Sequence, residues 1–129
     1  MSRWHGELGK KRTGATIHPH RKKRKFELGG LPIHTSVGKA KKKFAKTKGG
    51  GIKVKAAVIE LVNVYDPKSG KMQRTKILDL VKNPANPHFI RRGILTKGSV
   101  VKTDLGLVRI TSRPSQSGVA SAIIVEEEK

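Results

Sequence analysis

Apolar residues fall into a regular pattern only in the second half of the chain. From Ile52 to Tyr65 (IKVKAAVIELVNVY) the even-numbered positions are apolar except for Glu60. A period of two puts alternate side chains on one face, so this stretch predicts a strand with one buried face. Asp66-Pro67-Lys68-Ser69-Gly70 reads as a turn, because proline presets one dihedral and glycine permits positive φ. Lys71 to about Val81 returns as a second strand, with poorer alternation. Asn83-Pro84-Ala85-Asn86-Pro87 cannot be helical, since each proline removes a donor and restricts the residue before it. Ile94-Leu95-Thr96 and Ser99 to Thr103 predict short strands around Lys97-Gly98. Asp104-Leu105-Gly106 predicts a turn, Leu107 to Ser112 a returning strand, and Val119 to Val125 a last apolar run. Short strands punctuated by Gly and Pro predict a mainly β fold, a small barrel or sandwich, over residues 52–129.

Residues 1–51 carry no sustained period of 2.0 or 3.6. Their large apolar residues are few and scattered, too few to offset an ordering cost of about 1–2 kcal/mol per residue. They predict a largely irregular extension, with Gly49-Gly50-Gly51 as a hinge.

Charge sharpens this division. The 129 residues hold 29 Lys plus Arg against 9 Asp plus Glu, a net of +20. Residues 1–55 contain 17 of the cations and only two acids, Glu7 and Glu27, a net of +15. Such a charge repels itself in a compact state unless a polyanion neutralises it. Nucleic acid is the first candidate and an anionic membrane surface the second. Cysteine is absent, which excludes disulfides, thiolate nucleophiles, Cys-type zinc sites and iron–sulfur clusters. The apolar runs are too short to span a bilayer, and the N-terminus leads into Lys10-Lys11-Arg12 instead of an apolar stretch, so neither a membrane span nor a secretory signal is expected, and nucleic acid is preferred to a membrane as the partner.

Catalytic patterns are thin. His5, His18, His20 and His34 lie among cations that oppose a metal ion, and no acid or Cys completes a shell, so no metal is expected. Gly9 to Gly14 and Gly93 to Gly98 have phosphate-loop spacing without the Lys and Ser/Thr that must follow. Asp66, Asp79 and Asp104 sit beside predicted turns or strand ends. No enzyme activity, cofactor or small-molecule substrate is expected.

The basic runs carry the functional signal. Arg21-Lys22-Lys23-Arg24-Lys25 cannot lie on one face of a helix or strand, and cations radiating in all directions suit insertion between phosphate strands. Phosphate contact with counterion release gives salt-sensitive, sequence-independent affinity. The expected RNA-contacting residues of the extension are Arg3, Trp4, His5, Lys10, Lys11, Arg12, His18, His20, Arg21, Lys22, Lys23, Arg24, Lys25, Lys41, Lys42, Lys43, Lys46 and Lys48. Arg91, Arg92 and Arg113 form a second, smaller set on loops. Interleaved Trp4, Phe26 and Phe44 suit stacking on unpaired bases. For Trp4 the competing expectation is an anchor packed on the β domain. A nuclear-localisation signal needs one basic run, and this chain has several. RNA is favoured over DNA, and a chromatin or nucleoid architectural protein is the alternative.

Several strings occur together and in order: Arg3-Trp4-His5-Gly6, Lys11 to Gly14 (KRTG), Arg21 to Gly29 (RKKRKFELG), Thr35 to Gly38 (TSVG) and Thr47 to Ala56 (TKGGGIKVKA). Asn83 to His88 (NPANPH), Arg91-Arg92, Thr96-Lys97-Gly98 and Thr111 to Pro114 (TSRP) continue them. The set resembles the archaeal and eukaryotic small-subunit ribosomal protein eight of the "e" type, from near Arg3 to near Val125, and its compactness and the NPANP string resemble archaeal members. Ser115 and Ser117 stand where the family usually has Gly and often an acid. The resemblance implies a cytoplasmic, ribosomal, non-catalytic protein: a small β-barrel-like domain with a long basic extension threaded into ribosomal RNA, beside neighbouring ribosomal proteins.

Overall fold

The computed structural model of the chain describes residues 2–7, 9–47 and 49–125. It divides into two compact units, residues 1–32 and 33–129.

In the first unit β1 (Ser2–Trp4) pairs antiparallel with β2 (Leu28–Gly30), with Arg3 opposite Gly29 and Trp4 opposite Leu28. A 3-10 turn at Lys25–Glu27 leads into β2. Between these strands the chain makes a tight reversal. Lys10 bridges to Thr16, the Lys11 amide donates to the Ala15 carbonyl at 2.8 Å, and Gly14 takes φ +85° at the tip. No described residue from Arg3 to Pro32 is buried, so backbone pairing and not a hydrophobic core organises this largely irregular segment.

The described residues of the second unit form nine strands: β3 (Thr35–Val37), β4 (Lys41–Lys46), β5 (Ile52–Ile59), β6 (Leu61–Tyr65), β7 (Met72–Lys82), β8 (Ile94–Leu95), β9 (Val100–Thr103), β10 (Gly106–Ile110) and β11 (Ser121–Ile124). Two one-turn helices, α1 (His88–Arg91) and α2 (Pro114–Ser117), precede β8 and β11. Five strands close into a barrel in the order β10-β11-β6-β7-β9, with β9 pairing back onto β10. Within the barrel the β11–β6 pair is parallel and the other pairs are antiparallel. The remaining strands form a sheet in the order β4-β5-β3-β8. Closure leaves the barrel without free edges and turns alternate side chains inward. Val62, Val101 and Val108 are fully buried, and Val64 and Ile110 nearly so. Each such side chain contributes about 1.5–3 kcal/mol on burial. Ala56, Ile59 and Leu95 of the second sheet join the same core. No helix among the described residues is long and apolar enough to cross a membrane.

The mainly β fold and the barrel agree with the sequence reading, and so do the turns. Asp66 closes the β6–β7 turn by accepting from the Lys68 amide (2.9 Å) and the Ser69 hydroxyl (2.8 Å), with Gly70 at φ +66°. These hydrogen bonds, Ser69's first, lower the Asp66 pKa below the usual carboxylate value.

Four expectations need correction. The predicted single strand over residues 52–65 is two strands broken at Glu60, one in each sheet. Within β5 the pairing slips by one residue between Ala56 and Val58, so Ile59 is buried where the even-numbered pattern pointed to Val58. The boundary between units falls at Pro32/Ile33, not at Gly51/Ile52, because β4 pairs with β5 from Lys46↔Ile52 to Lys41↔Val58 and β3 lies parallel to β5. Gly49-Gly50-Gly51 is part of the tight turn of that β4–β5 hairpin and not a hinge. The Thr47 amide donates to the Gly51 carbonyl at 2.8 Å, and Gly50 has φ +78°.

Candidate nucleic-acid interface

The first unit displays its cations on short, backbone-tied segments. Arg3 and His5 flank Trp4 on and just after β1, and Lys10, Lys11 and Arg12 occupy the reversal. His18, His20 and Arg21 follow along a groove of about 310 Å³, also lined by Trp4 and Glu27. Lys22, Lys23, Arg24 and Lys25 lead into the 3-10 turn. All of these Lys, Arg and His side chains are exposed.

One carboxylate holds this arrangement. Glu27 accepts from Trp4 Nε1 at 2.8 Å and from the Arg24 amide at 3.1 Å, and it pairs with the Arg21 guanidinium. The Trp4 hydrogen bond is the largest of the causes that lower the Glu27 pKa, followed by the Arg24 amide and the Arg21 charge. The indole is half-buried. Lys23 Nζ sits 5.5 Å from its ring centroid, and a Cβ on Gly6 would lie 2.1 Å from the ring, so only glycine fits there. Trp4 packs within its own segment, where Glu27 accepts its N–H.

The second group lies on the β4–β5 hairpin. Lys41, Lys42, Lys43 and Lys46 are exposed on edge strand β4; Lys48 falls outside the described residues. Antiparallel register sets residues opposite each other on the same face. Lys43 faces Lys55, and Ala45 faces Lys53, which makes one face cationic. Lys42, Phe44 and Lys46 stand opposite Ala56, Val54 and Ile52 on the other face. Lys53 and Lys55 were not expected at the site. They alternate with apolar residues in a strand-forming run, and only the register shows what they join. From Lys39 to Lys55 the chain has no acidic residue.

The third group is carried by two separate one-turn helices. Arg91 closes α1 and Arg92 follows it, both exposed. Arg113 instead caps α2 and lines a groove of about 270 Å³ with His34 and Lys97, over Ile33, Ile94, Leu95 and Pro114. Arg91 and Arg92 do not line it. Two devices fix this region. Asn83, only 3% exposed, donates through Nδ2 to the Ile94 carbonyl (2.9 Å). Its Oδ1 accepts from the Ala85 amide (3.1 Å) and the Thr96 hydroxyl (2.9 Å). Gly118 ends α2 at φ +75°, where a Cβ would come within 3.0 Å of Val54 Cγ1. Ser117 Oγ lies 2.9 Å from the Arg113 carbonyl and 3.0 Å from that of Val119, so serine gives this loop a local tether. Among the described residues no three His, Asp or Glu side chains gather in one place.

A closed five-stranded barrel bearing an acid-free basic hairpin and a basic segment without a core defines a basic β-barrel protein with broad cationic surfaces. The family model described as Ribosomal protein S8e matches residues 4–125, and the chain belongs to that family. The family is one of ribosomal structural proteins, not enzymes. Relatives named "Small ribosomal subunit protein eS8" include several from archaea. The chain is 42% identical to that of Methanocorpusculum labreanum over 95% of its own length and 98% of the relative's. It is 50% identical to that of Nanoarchaeum equitans over 85% and 87%, and 43% identical to that of Methanosarcina barkeri over 96% and 99%.

Proposed function

We propose that the chain is a structural constituent of the small subunit of the cytoplasmic ribosome, holding ribosomal RNA with its first unit, its β4–β5 hairpin and its loop cations, beside neighbouring ribosomal proteins. The observation that carries this reading is the disposition of the cations. Apart from Arg21, no described Lys or Arg named as an RNA contact pairs its side chain with an acid among the described residues, and all are exposed. A surface of this kind neutralises phosphates laid against it and releases their counterions. The first unit, lacking a core, suits a segment whose final order comes from the RNA around it. Family membership supports RNA as the polyanion and gives no support to the DNA-architectural alternative.

The test is a lysate gradient. The protein should co-sediment with small subunits, survive DNase, and be released by RNase or high salt. Release by DNase, or migration away from subunits at low salt, would overturn the reading.

A further inference from the structure

Three of the chain's aromatic residues lie beside basic runs, and their surroundings differ. Trp4 is occupied by Glu27, Gly6 and Lys23. Phe26 is 73% exposed, but the Arg21 guanidinium lies 5.5 Å from its ring centroid. Phe44 is 71% exposed in the middle of strand β4, and no ring or cation lies over it among the described residues. Ile52, 63% exposed on the same face of the ribbon, extends the ring into an apolar patch set among lysines.

The register says what surrounds Phe44. Lys42, Phe44 and Lys46 project from the same face, with Ala56, Val54 and Ile52 beside them on β5. Along a strand, residues two apart are separated by about 6.6 Å, so the two lysines stand about 13 Å apart with the ring midway. The reverse face carries Lys43, Lys53 and Lys55. The absence of any acid from Lys39 to Lys55 argues against an acid-and-base-patterned protein interface on the ribbon. The order cation, aromatic ring, cation matches an unpaired nucleotide: every base has a π-face to stack, and phosphates flank it on both sides. A base paired within a duplex offers no face to such a ring.

We propose that the β4–β5 ribbon is a landing site for an unpaired RNA nucleotide, its base stacked on Phe44 and its flanking phosphates paired with Lys42 and Lys46. This rests on the RNA-binding reading above and adds the class of RNA element the ribbon takes. Lys43, Lys53 and Lys55 are left to meet backbone phosphates on the other side, so the ribbon works as a wedge at a junction between single-stranded and paired RNA.

The test uses the full chain with two probes, a 12-nucleotide oligouridylate and an RNA duplex of the same length. Phe44→Ala removes an exposed ring and leaves charge unaltered. It should weaken oligouridylate binding by about 5- to 150-fold, the range for losing one stacked base, and leave duplex binding and the salt dependence of both unchanged. Phe44→Trp should restore single-strand binding. A loss below twofold, or an equal loss on both probes, overturns the proposal and would assign the ring to a protein neighbour or to no partner. Wild-type binding to the duplex alone overturns the proposal while the RNA-binding reading stands. Binding to neither RNA overturns both.

Discussion

Replacing Asn83 by Ala tests how the fold carries the loop cations. The Asn83 side chain makes three hydrogen bonds, to the Ile94 carbonyl, the Ala85 amide and the Thr96 hydroxyl. It thereby ties the proline-rich loop ahead of α1 to the segment that carries Lys97. Each such bond contributes about 0.5–1.5 kcal/mol net. Ala85 is exposed and Thr96 half-buried, so water can reach their freed groups, whereas the carbonyl of buried Ile94 loses its side-chain donor. The expected destabilisation is about 2–3 kcal/mol, below the sum of three full penalties. In a domain of this size that lowers Tm by roughly 10–20 °C. Asn83→Asp is the sharper variant. It keeps the shape and the acceptor oxygen but points a carboxylate at the Ile94 carbonyl, so at neutral pH it should destabilise at least as much as alanine. Urea unfolding followed by far-UV circular dichroism, with m compared across variants, reads both. Asn83→Ala within about 0.5 kcal/mol of wild type, the size of an ordinary surface change, would refute the latch.

Three further outcomes follow. Limited proteolysis with a nonspecific protease should leave a core beginning near Ile33 that retains the β4–β5 hairpin; a core beginning at Ile52 would deny the pairing of β4 with β5. Because the folded Glu27 pKa is lowered, the tie from Glu27 to Trp4 is fully present above the ordinary carboxylate value of 4.5 and is lost as pH falls through the lowered one. Trp4 fluorescence in the free protein should hold steady from neutral pH to 4.5 and red-shift only below it, and a shift centred near pH 6 would contradict the assignment. Gly118→Ala places a Cβ at positive φ against Val54 and should cost about 1–2 kcal/mol by thermal unfolding; a neutral result would mean that α2 ends differently.

Period-two patterning revealed strands wherever one face was buried, as at Val62, Val64, Val108 and Ile110. It failed in two physical situations. Edge strand β4 is exposed on nearly all its side chains, so its lysines show no alternation, and only pairing with β5 makes it a strand. In β7 two register shifts, between Ile77 and Asp79 and between Leu80 and Lys82, stretch the spacing of buried residues and leave Leu78 and Val81 outside, which is why its alternation looked poor. The cationic runs were legible because contiguous charge needs no fold to be recognised. Lys53, Lys55, Lys97 and His34 were not, since tertiary pairing or a groove brings each of them to a basic neighbour. The tie between Trp4 and Glu27 was not legible, because the two are 23 residues apart and only the pairing of β1 with β2 brings them together.

The central claim is that specific surfaces of this chain lie against ribosomal RNA. Ultraviolet crosslinking of intact small subunits, followed by mass spectrometry of the RNA-linked peptides, tests it most directly. The account predicts adducts concentrated in residues 3–30, in the β4–β5 hairpin with Phe44 among the linked residues, and around Lys97 and Arg113. Adducts confined to the outer faces of the barrel strands β6, β7 and β10, with the hairpin and the first unit unlinked, would contradict it.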